Sequence, residues 1–320
     1  MARIVDVAQL AGVSTATVSR VVNGKPVRAE LAEAVRRAVE ELAYVPDRTA
    51  RSLRRRLGDV VALVLPDIEN PFFTSLARGV EDITQNAGLS LVLCNTDDVP
   101  AKEERYLTIA GRENMAGVVV APASGQPRLG PLLEQGRAIV VVDRAVSAPV
   151  DHVLFDNVEL AMRATAALLA QGHRRIACVT GPAATNTAND RAIGWRRALE
   201  VAGLEVDERL LTHVEFRVEG GRAAMARLLA EPEPPDAVLA TNNLVGVGVL
   251  QVLADRQHGP HVGVGVIGDL PFVTSRSADI TILPLRPRDM GTVAAQMLLE
   301  RIGGYSGDPR IVTQPVNGVQ

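Results

Sequence analysis

The sequence predicts a small all-α head joined by a basic linking segment to a two-lobed α/β body with doubly wound parallel sheets. Three observations carry that reading. The stretch "DVAQLAGVSTATVSRVVNG" (6–24) sets short apolar helices on either side of Gly12. The stretch "YVPDRTARSLRRR" (44–56) crowds Arg48, Arg51, Arg54, Arg55 and Arg56 around the single large apolar residue Leu53. After Gly58, about ten short apolar runs alternate with helical stretches. At 320 residues the chain is too long for one typical core, so two or three domains are expected.

The first helix draws one apolar face from Val7, Ala8, Leu10 and Ala11, and Gly12 permits a sharp turn. Ser14 is placed to cap the next helix, "TATVSRVV", which turns Val18, Val21 and Val22 inward and presents Thr15, Ala16, Thr17 and Arg20. Asn23-Gly24 ends that helix. A third amphipathic helix follows, with Leu31, Val35, Val39 and Leu42 at helical spacing, and Pro46 stops it. Two short helices joined by a Gly turn and braced by a third make a helix-turn-helix, whose second helix fits the DNA major groove. The basic segment beyond suits the minor groove, where an apolar wedge unstacks a base step and arginines neutralise phosphates.

Charge follows the same division. Residues 1–58 carry 11 Lys/Arg against 6 Asp/Glu, a net of +5, and the remainder carries 23 against 31, a net of −8. A basic head on an acidic body places the polyanion at the head.

In the body, "DVVALVLP", "LSLVLCN", "AGVVVAP", "AIVVVD", "RIACVTG", "DAVLAT" and "VGVGVIG" are continuous apolar strands. Strands of this kind, separated by helices, indicate parallel sheets buried on both faces, and their number suggests two lobes. Ligands bind such sheets at the carboxyl ends of the strands. There the sequence places "PDIENPFF", "DRAV", "GPAATNTANDR" and "TNN", residues that hydrogen-bond hydroxyls or carboxylates and, with Phe, offer a face to a ring. The same Asn and Asp residues also serve as helix caps and turns.

The head and hinge, "DVAQLAGVSTATVSRVVNG" followed by "ELAYVPDRTARSL", resemble the LacI/GalR family of bacterial transcription regulators. The resemblance implies that Thr15, Ala16 and Arg20 read bases and that Ser14, Thr17, Ser19 and Asn23 contact the DNA backbone. It implies that Leu53 pairs with its dimer mate to pry open the central step of a palindrome, flanked by Arg48 and Arg51. The body then resembles the type I periplasmic-binding-protein fold that the family carries as its effector domain. On that resemblance Asn70, Phe72, Phe73, Asp143, Arg144, Thr187, Arg191, Phe216, Asn242, Asn243 and Asp269 are the expected effector contacts. The expected domains are a head (1–46), a hinge helix and linker (47–58) and an effector-binding, dimerising body (59–320). The body's chain is expected to cross between lobes near 155–160 and 283–290.

Several positions depart from the family pattern. Arg3 replaces the usual helix-one cap and Arg28 the usual Ser or Thr before helix three. Asn243 stands where Asp is usual, Gly268 where the first Asp of "GFDD" would stand, and Leu285 in place of a frequent Gln. The effector is therefore expected to be less sugar-like on that side, or to carry an anionic group held by Arg144 or Arg191.

Other signals are weaker. "GVGVIG" (263–268) matches a dinucleotide fingerprint formally but reads better as a strand. His258 and His261 flank Gly-Pro with no third ligand, and Asp151-His152 lacks a nucleophile. Cys94 and Cys178 sit in apolar runs and read as core residues. No cofactor, metal site or enzyme constellation is expected. The partners expected are double-stranded DNA, a small-molecule effector that is a sugar or sugar-derived, and a second copy of the chain, without a membrane. Asp6 interrupts any export signal, so a cytoplasmic location is expected. A transport solute-binding protein of the same body fold is the rival reading, and the basic head argues against it.

Overall fold

The computed structural model describes residues 4–22, 26–42, 44, 58–255, 261–270, 280–316 and 318. The chain divides into two units, Met1–Gly58 and Asp59–Gln320.

In the first unit, helices α1 (Ile4–Leu10), α2 (Thr15–Val22) and α3 (Ala29–Glu41) close on Val7, Ala8, Val18, Val35 and Ala38. Ser14 caps α2: its Oγ accepts the Thr17 amide at 3.2 Å and lies 3.0 Å from the Thr17 hydroxyl. Two expected core residues are instead exposed, Leu10 at 46% and Leu31 at 37%. The buried stripe of α3 runs through Ala32, Val35 and Ala38, and Leu31 lies one residue, about 100° of helix, to its side. Arg28 occupies the N-cap of α3 without a side-chain cap bond. Asn23, Arg48, Arg51, Leu53 and nearly the whole expected hinge lie outside the described residues.

In the second unit, the first lobe begins with β1 (Val60–Leu65), α4 (Pro71–Asn86), β2 (Ser90–Asn95), α5 (Pro100–Arg112) and β3 (Gly117–Val120). It continues with α6 (Gly130–Glu134), β4 (Ala138–Val142) and β5 (Asp151–Phe155). The second lobe carries α7 (Asn157–Ala170), β6 (Ile176–Thr180), α8 (Asn186–Val201), β7 (Leu211–His213) and α9 (Val218–Leu229). Then come β8 (Ala237–Ala240), α10 (Asn243–Ala254), β9 (Gly263–Ile267) and β10 (Ile280–Leu283). The chain returns to the first lobe with α11 (Pro287–Ile302) and β11 (Ile311–Gln314). The described strands pair in parallel, in the orders β11-β5-β4-β3-β1-β2 and β10-β9-β8-β6-β7. Val61 to Leu65 are fully buried, as a strand covered by helices on both faces requires.

Helices α4 and α11 approach so closely that a Cβ at Gly291 would lie 2.1 Å from the Leu76 carbonyl, and one at Gly79 2.1 Å from the Arg288 carbonyl. Neither carbonyl can move without parting the helices. Gly291→Ala is therefore expected to cost about 1–3 kcal/mol of stability in chemical denaturation. Gly130→Ala, which meets open space, serves as the near-neutral control.

The weaker sequence signals resolve as structure. Gly263–Ile267 is β9 and no helix opens at Gly268. Asp151 is 1% exposed on β5 and is gripped by Arg301 (2.7 and 2.9 Å) and Arg310 (3.0 Å), with the Arg310 amide at 2.8 Å. His152 directs Nδ1 to the Val150 carbonyl at 2.8 Å. Cys94 and Cys178 are buried free thiols. His258 lies outside the described residues. Among the described residues no cluster of His, Cys, Asp and Glu is arranged to hold a metal ion, and no helix is long and apolar enough to cross a membrane.

Candidate functional site

A cavity of about 250 Å³ opens between the lobes where the strands of both sheets end. After β1, the Asn70 side chain caps α4, and Pro71 at the first turn starts the helix so that Phe72 and Phe73 reach the cavity. Their rings meet edge to face, with centroids 5.0 Å apart. After β4, Asp143 adopts a left-handed backbone (φ 64), unusual for a residue with a side chain, and faces the cavity beside Arg144. Thr187 and Arg191 come from the first turns of α8, and Phe216 follows β7. Asn242 and Asn243 open α10, while Asp269 follows β9.

All of the sequence-predicted effector residues thus line one cavity: Asn70, Phe72, Phe73, Asp143, Arg144, Thr187, Arg191, Phe216, Asn242, Asn243 and Asp269. Three of them, Asn70, Asn242 and Asn243, divide their chemistry with the fold, the Asn243 oxygen accepting the Leu244 amide at 2.9 Å. The Asn70 oxygen accepts the Phe72 amide at 2.9 Å, and the Asn242 oxygen accepts the Leu244 and Val245 amides at 2.8 and 3.2 Å. Sequence reasoning passed over Asp67, Asp97, Asp98, Glu215 and Arg217, which share the lining. The "TDD" following the second apolar run was the available signal, being acidic and placed directly after a strand.

The two buried arginines of the cavity wall differ in their surroundings. Arg144 Nη1 donates to Asp98 Oδ1 and to the Pro122 carbonyl (2.9 Å), and its Nε stands 3.8 Å from Asp143 Oδ2. Burial opposes the Arg144 charge, but Asp98 and Asp143 outweigh it and hold the pKa above its ordinary value. Arg191 donates to Asn157 Oδ1 (2.8 Å) and the Thr241 carbonyl (2.6 Å), with no carboxylate within 4 Å among the described residues. Burial lowers its pKa despite the attraction of Asp143. Burial likewise raises the carboxyl pKa of Asp143, against the pull of Arg144 and Arg191, and that of Asp269.

Gly268 adopts φ +107, a conformation that residues with a Cβ rarely take. An Asp at this position would be strained on this backbone.

In the head, Ser14, Thr15, Ala16 and Arg20 are exposed, and Thr17 and Ser19 partly so, along α2. The second helix of the unit therefore presents short polar side chains and a guanidinium, suited to base edges and phosphates.

Comparison with known proteins follows the same two units. Residues 3–47 match the profile described as "Bacterial regulatory proteins, lacI family". Residues 58–303 match "Periplasmic binding proteins and sugar binding domain of LacI family". The HTH-type transcriptional regulator CelR of Thermobifida fusca is 34% identical over 315 residues, 95% of this chain and 92% of that protein. The ribose operon repressor of Escherichia coli (strain K12) is 32% identical over 308 residues, 94% and 93% of the two chains. The solved structure of a transcriptional regulator CelR–cellobiose complex superposes with a TM-score of 0.73 at 31% identity, covering 100% of this chain and 98% of that one. With head and body matched in this order, and identity above 30% along nearly the whole length, this chain belongs to the LacI family of DNA-binding bacterial transcription regulators.

Proposed function

We propose that this protein is a cytoplasmic repressor that binds a pseudo-palindromic operator as a homodimer and is released or retained according to a sugar-derived effector in the interlobe cavity. The observation that carries the reading is the gathering of all the expected contact residues on one cavity, in a chain headed by a helix-turn-helix. Asp143 and Asp269 supply acceptors for hydroxyls, and Phe72, Phe73 and Phe216 supply faces for a ring. Arg144 is already matched by Asp98 and Asp143, whereas Arg191 has no carboxylate partner among the described residues. That asymmetry favours Arg191 as the holder of an anionic or strongly accepting group on the effector. The related structure with cellobiose, and a relative that represses a ribose operon, support a carbohydrate-type ligand.

Thr15, Ala16 and Arg20 read the half-site, with Ser14, Thr17, Ser19 and Asn23 on the backbone. The hinge arginines Arg48 and Arg51 flank Leu53 at the central minor groove. The effector works through its different affinity for two arrangements of the lobes, a coupling of ~1–3 kcal/mol in such systems.

Selection of sites from a random duplex library by the purified, ligand-free protein tests the reading. A palindrome with a central C·G step is expected, and failure to enrich any palindromic site, both without ligand and again in the presence of a panel of sugars and sugar acids, would remove it. On the selected operator, Leu53→Ala should lower affinity at least about tenfold, ~1.4 kcal/mol, in fluorescence anisotropy while ligand binding is retained. Full operator affinity in that variant would exclude the wedge.

A further inference from the structure

We propose that the ligand-free cleft carries its own latch, an amide pair that ties Asn70 of the first lobe to Asn243 of the second before any effector arrives. The proposal rests on the reading of this cavity as the effector site. Asn243 Nδ2 donates to Asn70 Oδ1 at 3.2 Å, and the two residues are only 6% and 3% exposed. A hydrogen bond buried in this way is shielded from competing water.

The chemistry fixes the direction of the bond. Asn70 Oδ1 also accepts the Phe72 amide at 2.9 Å, so turning its amide over would lose the cap of α4. Residue 70 must then be the acceptor, and residue 243 must be the donor. A carboxylate has no proton to give and would face the Asn70 oxygen with a second acceptor.

Two further links cross the cleft. Asn186 Nδ2 reaches the Ala145 carbonyl at 3.3 Å, and Arg217 Nη1 lies 3.7 Å from Asp67 and 3.5 Å from Glu69. Arg217 and Glu69 are largely exposed, so that ion pair adds little. The amide pair is the buried member of the set. An effector therefore enters a body already biased towards closure.

The latch can be tested without a ligand, so the outcome does not depend on which effector the cavity takes. In the full-length protein, Thr108→Cys on α5 and Val201→Cys on α8 provide exposed spin-label sites, while Cys94 and Cys178 are buried. Labelled chains are diluted with unlabelled protein, and interlobe distances are read by double electron–electron resonance. The parent should give one narrow distribution, and Asn243→Asp should shift it to longer, broader distances. Asn70→Asp keeps both the cap and the acceptor oxygen, so it should leave the narrow distribution in place. The pair Asn70→Asp/Asn243→Asp should open the cleft at least as far as Asn243→Asp alone. An unchanged distribution in Asn243→Asp would overturn the latch. Equal opening by either single variant would also overturn it, because that outcome would trace closure to packing and not to a donor meeting an acceptor.

Discussion

Asp151→Ala is expected to be the most damaging single change in the body, lowering stability in urea denaturation by about 3 kcal/mol. Removing one partner of a buried ionic cluster costs about 3–5 kcal/mol, and the partial exposure of Arg301 and Arg310 places this cluster at the lower end. The carboxylate joins β5 to the end of α11 and the start of β11, and Tyr305 sits beneath both guanidinium groups, 4.8 and 4.5 Å from them. Burial alone would raise the Asp151 pKa, but the bonds from Arg301 and Arg310 hold it down to about 2. A carboxyl depressed in the folded state stabilises fully above its unfolded pKa, near 3.8, and loses that contribution as pH falls through the folded value. The gap between parent and variant should thus be constant above about pH 5 and shrink steadily towards pH 2. A gap that persists undiminished at pH 2 would show that the carboxylate charge is not what binds the cluster.

Arg191→Ala should spare operator binding and push the effector response to much higher effector concentrations. Its guanidinium is buried at 5% exposure, fixed by Asn157 and the Thr241 carbonyl, and set in the cavity wall. A hydrogen bond to a charged group contributes ~1.5–3 kcal/mol, which corresponds to roughly a 10- to 150-fold loss of effector affinity. Isothermal titration with a panel of sugars and sugar acids, beside anisotropy on the selected operator, separates the two activities. A normal response in the variant would place the effector's anchor elsewhere in the cavity. Simultaneous loss of operator binding would mean that Arg191 supports the fold of the body and not the ligand.

The body was legible in the sequence because its central strands are buried on both faces and read as unbroken apolar runs, as in Val60–Leu65 and Ile176–Thr180. Strands at or near the sheet edges were harder to see. Leu211–His213 has three residues, and Ile311–Gln314 alternates exposure in a way that resembles a loop. At the cavity, the sequence showed which residues follow strands but not how their atoms are used. The Asn70 and Asn242 oxygens are committed to helix caps, a division that needs coordinates to see. Asp98 escaped notice because its partner, Arg144, is 46 residues away and the pairing exists only once the strands are aligned. In the head, helical spacing located the α3 stripe but not its edge, so Leu31 was placed one position too far inward.

The route of the chain sets an order of assembly during synthesis. The second lobe is one uninterrupted stretch from Asn157 to Leu283, able to close as soon as it emerges from the ribosome. The first lobe is begun earlier but finished later, because α11 and β11 are made after the whole of the second lobe. Until then β5 has no neighbour on its outer side, and Asp151 lacks two cations that lie 150 and 159 residues downstream. A nascent chain halted between the lobes would therefore expose a bare strand edge with a buried-type carboxylate beside it, a natural target for a chaperone and a seed for aggregation.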